Sequence, residues 1–137
     1  MKKVYVSIIG ESLVDGDGDK TEMVTEGEYT MRGGKYLLRY NEHLSDMDDG
    51  CTTVIRFDEN SVVMSRSGNI NTQMIFETGK RHVSHYETPL GSFTIGISTD
   101  VLKKNIGENG GDVEIKYILD INNSAQVENY LHLNIRG

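Results

Sequence analysis

Most of the chain alternates between apolar and polar residues with a period of two. Residues 93–97 are an example, because Phe93, Ile95 and Ile97 share one face while Thr94 lies on the other. Successive side chains of a β-strand point to opposite sides, so this period predicts strands with one buried face. Such runs recur at residues 4–9, 21–31, 36–43, 51–57, 61–67, 71–77, 80–88, 92–98, 113–121 and 127–135.

Turn-forming residues separate these runs. Gly33-Gly34, Asp58-Glu59-Asn60, Gly68-Asn69 and Asn122-Asn123-Ser124 all have hairpin-turn chemistry. Pro89 is the only proline and lacks an amide hydrogen, so it ends the strand before it. The connections are short enough to join sequential neighbours, as hairpins do.

About ten strands at spacings of roughly 8 to 12 residues indicate an all-β sandwich or barrel. Because the connections are short, we predict a single antiparallel, mostly up-and-down β-barrel that occupies residues 1–137 as one domain. Residues 100–111 break the alternation, and we expect them to form one helical turn or a cap over the barrel mouth.

Composition narrows the classes of partner. The formal net charge of −7 and the pI near 5.0 oppose binding to nucleic acid or to an anionic membrane. No apolar run approaches the ~20 residues of a membrane span, and the period-two pattern of residues 4–9 indicates a first strand instead of a signal peptide. Cys51 is the single cysteine, which favours a reducing compartment. We therefore expect a cytoplasmic protein.

The sequence contains no specific catalytic motif. It has no nucleophile elbow, phosphate-binding loop or dinucleotide fingerprint. Asp15, Asp17, Asp19 and Glu26 have the spacing of a calcium-binding EF-hand loop, but Lys20 occupies the position that requires glycine. An acidic hairpin loop is the better interpretation, and we expect neither an enzyme nor a cofactor.

The spacing of the histidines does not indicate a metal site. His82 and His85 are three residues apart in a predicted strand, so their side chains project to opposite faces. His43 and His132 are too distant in sequence to be assigned. We expect no bound metal.

Tyrosines carry a more informative pattern. Five of them fall on strand faces that we expect to be buried or to line the lumen, namely Tyr29, Tyr36, Tyr40, Tyr86 and Tyr117. Glu42 and Arg66 are candidate charged partners on neighbouring strands. Two interpretations stay open: the phenols and the charged pair orient a small ligand in the lumen, or they fill the core and satisfy one another.

Three segments, in this order, carry a family resemblance: Tyr40-x-Glu42, Arg66-Ser67-Gly68 and Tyr86-Glu87-Thr88-Pro89-Leu90-Gly91. The chain resembles the YwiB-like family over almost its whole length, and the last segment is the most specific. These small cytoplasmic proteins of Firmicutes are classed as a domain of unknown function and are similar in fold to the lipocalin and fatty-acid-binding (calycin) barrels. The resemblance implies a closed barrel of about ten strands and no established activity; ligand binding follows only by analogy with the barrel class.

The hypothesis to test is a non-enzymatic cytoplasmic barrel that binds a small molecule in its lumen. The candidate ligand-binding residues are Tyr40, Glu42, Arg66, His85, Tyr86 and Thr88. His85 lies on the face opposite Tyr86, so both line the lumen only if the strand is twisted or bulged. The alternative is a structural or protein-interaction module, such as a homodimer, with a barrel filled by side chains. A third and weaker hypothesis is an enzyme that uses a carboxylate and a tyrosine as acid and base.

Overall fold

The computed structural model describes residues 2–14, 17–42, 50–124 and 126–137. This part of the chain consists of strands and turns. The ten strands are β1 Lys2–Val14, β2 Asp17–Arg32, β3 Lys35–Glu42, β4 Cys51–Phe57, β5 Val62–Gly68, β6 Asn71–Phe76, β7 Arg81–Thr88, β8 Gly91–Gly107, β9 Gly110–Ile121 and β10 Gln126–Arg136. Within these residues there is no helix that could cross a membrane.

The ten strands form one closed antiparallel barrel. Each strand pairs with its sequence neighbours, and β1 pairs with β10 to complete the ring. The closing ladder is long, since it runs from Tyr5 opposite Arg136 to Leu13 opposite Glu128. The predicted all-β, up-and-down barrel of about ten strands is therefore confirmed.

The inward-facing side chains of alternate strand residues fill one half of the lumen. In β4 the buried positions are Cys51, Thr53, Ile55 and Phe57, with the residues between them more exposed. Buried side chains from every strand except β7 form one apolar cluster, and Tyr86 of β7 packs against it. Its fully buried members include Phe76, Leu38, Ile55, Ile97, Ile115, Val4, Val6, Val62 and Val113.

Strand β8 overturns one prediction from the sequence. The helical turn or cap expected at residues 100–111 is wrong, because β8 continues as a strand to Gly107 and turns directly into β9. A β-bulge shifts the register between Thr99 and Val101. One extra residue reverses the phase of the alternation, so the residues after the bulge follow the opposite parity.

The bulge also turns Lys104 towards the inside of one barrel end, where it pairs with the buried Val113. Its ammonium group donates hydrogen bonds to the carbonyl oxygens of Asp58 and Glu59 in the β4–β5 turn. Burial lowers the pKa of Lys104. Nearby, the hydroxyl of Tyr29 donates to the carbonyl oxygen of Gly107 at 2.8 Å. Side chains of β2 and β8 therefore hydrogen-bond to the backbone at this end of the barrel.

The β8–β9 turn provides a test of this geometry. Gly111 has a φ of 143°, and a methyl group there would collide with the backbone of Asn105 and Ile106. We expect Gly111→Ala to lower the free energy of unfolding by roughly 3 kcal/mol, through strain and displaced backbone. Gly107→Ala is the matched control, because a Cβ there meets open space; its effect should stay within about 0.5 kcal/mol. Equal losses in urea unfolding would contradict the described hairpin.

Candidate functional site

A cavity of about 370 Å³ lies in the other half of the lumen, at the barrel end opposite Lys104. Carbon-rich side chains form most of its wall, and Phe93 at its edge is 40 % exposed. Its polar groups come from one arginine and two phenols. The lining residues are Arg66, Met74, Tyr86, Phe93, Ile95, Tyr117, Leu119 and Ile121.

An ion pair across β4 forms the polar wall. The Nε atom of Arg66 on β5 donates to Oε1 of Glu42 on β3 at 2.6 Å. Thr53 on the intervening strand donates its hydroxyl to the same oxygen at 3.0 Å. The Sγ atom of Cys51 lies 3.9 Å from that oxygen. The carboxylate on β3 is thus held by residues from the next two strands, β4 and β5.

Burial and charge act against each other at Arg66. Desolvation alone would lower the pKa of its guanidinium, but Glu42, with a smaller contribution from Tyr40, outweighs this and raises the pKa. Within the described part of the chain, Glu42 is the only carboxylate that forms an ion pair with Arg66. The pair is therefore internally neutral, and the guanidinium has further N–H donors beyond the Nε used here.

Neutral phenols surround this pair. Burial raises the pKa of Tyr40, and the charge on Glu42 raises it further. Burial also raises the pKa of Tyr117. The ring of Tyr117 packs edge-on against Phe76, with ring centres 4.9 Å apart, which holds it at the base of the cavity. These tyrosines act as protonated hydrogen-bonding groups at neutral pH.

Four of the six residues predicted as ligand-binding converge on the lumen: Tyr40, Glu42, Arg66 and Tyr86. His85 does not join them, because β7 alternates and exposes His85 on the outer face while Tyr86 points inward. Thr88 serves the β7–β8 turn instead. Its hydroxyl donates to the carbonyl oxygen of Gly91 at 3.0 Å and accepts the amide of Leu90 at 3.1 Å.

Sequence reasoning missed several residues of this site. The only sequence signal for Thr53 is its place on the same strand face as Ile55 and Phe57, which indicates that its side chain points inward. Phe93 and Ile95 were placed on an apolar face, yet nothing local distinguished a cavity wall from a packed core. The lining also includes Met74, Leu119 and Ile121.

No group of three or more histidine, cysteine, aspartate or glutamate side chains suited to a metal occurs among the described residues. His82 instead contacts Glu77, with Nε2 and Oε1 3.0 Å apart, and His132 contacts Asp112 at 3.1 Å. Two residues considered above, Asp15 and His43, lie outside the described residues.

Comparisons with known proteins identify relatives of this barrel. The model of a family described as "Domain of unknown function (DUF1934)" matches residues 6–133. The chain is 26 % identical over 119 residues to the uncharacterized beta-barrel protein YwiB of Bacillus subtilis (strain 168), which covers 85 % of this chain and 82 % of that protein. It is also similar to the crystal structure of the ywiB protein from Bacillus subtilis, with a TM-score of 0.84, 21 % identity and coverage of 98 % of this chain and 91 % of that one. The structural similarity shows that the two share the barrel fold.

Removing one partner of the ion pair should destabilise the protein more than removing both. Arg66→Met leaves the Glu42 carboxylate buried without its counter-charge, which we expect to cost about 3 kcal/mol. Adding Glu42→Met should recover at least about 1 kcal/mol of this loss, because no buried charge is left. Urea unfolding of the single and double variants measures both. The exposed Arg39→Met is the control, and an Arg66→Met loss no larger than that control would contradict the pairing.

The buried phenols predict loss of stability in alkali. Unfolded tyrosines ionise near pH ~10, whereas burial, and to a lesser degree Tyr36, raises the pKa of Tyr29 to about 12. Their contribution to the free energy of unfolding is therefore fully present below about pH 10 and is lost as pH rises through the folded pKa values. Urea unfolding between pH 8 and 12 should show this decline. Tyr29→Phe should make it shallower; an unchanged slope would exclude Tyr29 as a contributor.

Proposed function

The chain belongs to the DUF1934 family of domains of unknown function, and we propose that this member is a small-molecule-binding barrel whose ligand occupies the lumenal cavity. The observation that carries the proposal is an apolar cavity with the Arg66–Glu42 pair in its wall. Its volume of about 370 Å³ falls within the ~300–1,000 Å³ of ligand pockets, which are also mostly apolar with few polar groups. The analogy with lipocalin and fatty-acid-binding barrels points the same way.

The charge state of the wall favours an uncharged ligand head group. Glu42 already neutralises Arg66, so an anionic head would meet the guanidinium and a carboxylate together. A carbonyl or hydroxyl oxygen can instead accept a hydrogen bond from the remaining guanidinium N–H groups or from the phenols of Tyr86 and Tyr117 without displacing Glu42. The ligand class is therefore a neutral amphipathic molecule.

The rest of the ligand is apolar under this proposal. Ile95, Leu119 and Ile121 provide an aliphatic wall opposite the ion pair, and Phe93 lies at the entrance. Burial of apolar surface would supply most of the affinity, at about 25 cal/mol per Å². The polar contacts would orient the head group.

We propose binding instead of catalysis because the cavity's carboxylate is already engaged. Glu42 accepts hydrogen bonds from Arg66 and Thr53 on one oxygen and holds three strands together. A general base needs a proton donor of the substrate within its reach, whereas Glu42 lies behind Arg66 in the wall. The cytoplasm remains the proposed location, on the basis of the single cysteine.

A neutral fluorescent probe tests the proposed ligand class. Prodan, a dimethylaminonaphthalene ketone, has an apolar body and one carbonyl acceptor. We expect saturable binding with a blue-shifted emission, weakened about three- to tenfold by Tyr86→Phe through loss of one hydrogen bond. Leu119→Trp should abolish binding because the indole fills the cavity. The matched control is His85→Ala, on the outer face of the same strand as Tyr86, which should leave affinity unchanged.

The head-group assignment has its own control. The corresponding dimethylaminonaphthoic acid carries a carboxylate in place of the ketone and should bind more weakly than prodan. Tighter binding of the acid would overturn the neutral class. If neither probe binds and native mass spectrometry of protein purified from its own host shows no retained small molecule, lumenal binding itself is refuted.

A further inference from the structure

Strand β2 is longer than the strand that pairs with its far side. β1 accompanies β2 over its whole length, from Val14 opposite Asp17 to Lys2 opposite Tyr29. β3, in contrast, pairs with β2 only from Gly27 to Arg32. Within the described chain, residues 17–26 of β2 therefore have no strand neighbour on the β3 side. We call these residues the β2 overhang.

The β2 overhang is exposed on both faces over residues 18–22, and beyond them Met23 packs partly buried against the core. Residues 18–22 are all exposed, and the outward-facing Val24 is 68 % exposed. Two further apolar side chains lie on the outer face of the adjoining β1: Tyr5 is 49 % exposed and Leu13 is 47 % exposed. An exposed strand edge beside exposed apolar side chains is a template for pairing with another strand.

We propose that the β2 overhang is a homodimer interface, in which the overhangs of two copies pair antiparallel about a two-fold axis at Thr21. This axis centres the pairing on residues 18–24, which stop short of Thr25, the position beside which the β2–β3 register places Glu42 at the end of β3. The interface is isologous, so every contact occurs twice. It joins the two barrel walls into one continuous sheet and is independent of the proposed ligand site.

The charge order of the strand favours a second copy as the partner. In this register, Lys20 lies opposite Glu22 of the partner subunit and Glu22 lies opposite Lys20 of the partner subunit. Cross-strand pairs of opposite charge are favourable, whereas like charges directly opposite are unfavourable. Lys20 and Glu22 share one face, since they form an ion pair of 3.3 Å within the subunit. The dimer would therefore place four alternating charges on that face.

Thr21 adds a second match at the axis. It lies opposite Thr21 of the partner subunit, and threonine pairs across antiparallel strands are favourable. Val24 lies opposite Gly18 of the partner subunit, where it would contact the partly exposed Leu13 side chain that lies beside that glycine. Charge, β-branched pairing and packing thus agree on one register.

Charge reversal tests the register. Sedimentation equilibrium over a wide concentration range should show a reversible dimer. Lys20→Glu should raise its dissociation constant by about tenfold or more, because two attractive pairs become repulsive. Glu22→Lys should do the same, and the double variant Lys20→Glu/Glu22→Lys should restore dimerisation.

The controls separate a local effect from one of net charge. Lys103→Glu and Glu87→Lys make the same changes of charge at exposed sites on β8 and β7 and should leave the dissociation constant unchanged. A monomer at all concentrations would overturn the proposal. So would a double variant as weak as the single ones, or controls that weaken the dimer equally.

Cross-linking tests the position of the axis independently. Thr21→Cys places two thiols directly opposite each other, where a small approach of the strands brings their Cβ atoms to the separation of a disulfide. Mild oxidation should link this variant into a dimer more rapidly than Val24→Cys, which is also exposed but lies away from the axis. Wild type, whose buried Cys51 is retained in both variants, should stay unlinked. Faster linkage of Val24→Cys would refute the register.

Discussion

Closure of the sheet through the β1–β10 ladder is the constraint on which the rest of the structure depends. A closed ring divides every strand into inner and outer positions, so each inward side chain must either pack or find a polar partner. Apolar residues satisfy this condition near the end where Lys104 hydrogen-bonds to the β4–β5 turn. At the other end Glu42 points inward, and it is satisfied by Arg66 and Thr53. The difference between the two halves of the lumen follows from this division.

The alternation of inner and outer positions also explains how much of the fold could be predicted from the sequence. Period-two alternation identified all ten strands, because each has a stretch in which apolar residues recur on its inner face. It failed at residues 100–111, where the bulge at Thr99 and Val101 reverses the phase. A single-residue insertion has no distinct composition, so the pattern resembled the end of a strand. The sequence therefore predicted β8 but not that it continues to Gly107.

The site was harder to predict than the strands. Parity identified Tyr40, Glu42 and Tyr86 as inward residues, and it placed His85 on the opposite face from Tyr86. The contact of Glu42 with Arg66, however, depends on two registers: Glu42 pairs with Cys51, and Thr53 pairs with Arg66. Alternation determines which face a residue takes but leaves the offset between strands open. The volume of the cavity is even harder to predict from the sequence, because it depends on side-chain packing around the whole ring.

Unequal strand lengths connect the ligand cavity with the proposed dimer interface. β2 has 16 residues and β3 has 8, so closure removes strand edges only over the length that neighbouring strands share. The β2 overhang remains beyond that length, at the end where Glu42 and Arg66 hold the cavity wall. Two copies joined through it would bring their cavity ends together. The ring that encloses a ligand space at this end therefore also leaves, at its uneven rim, a strand edge from which the sheet can be extended.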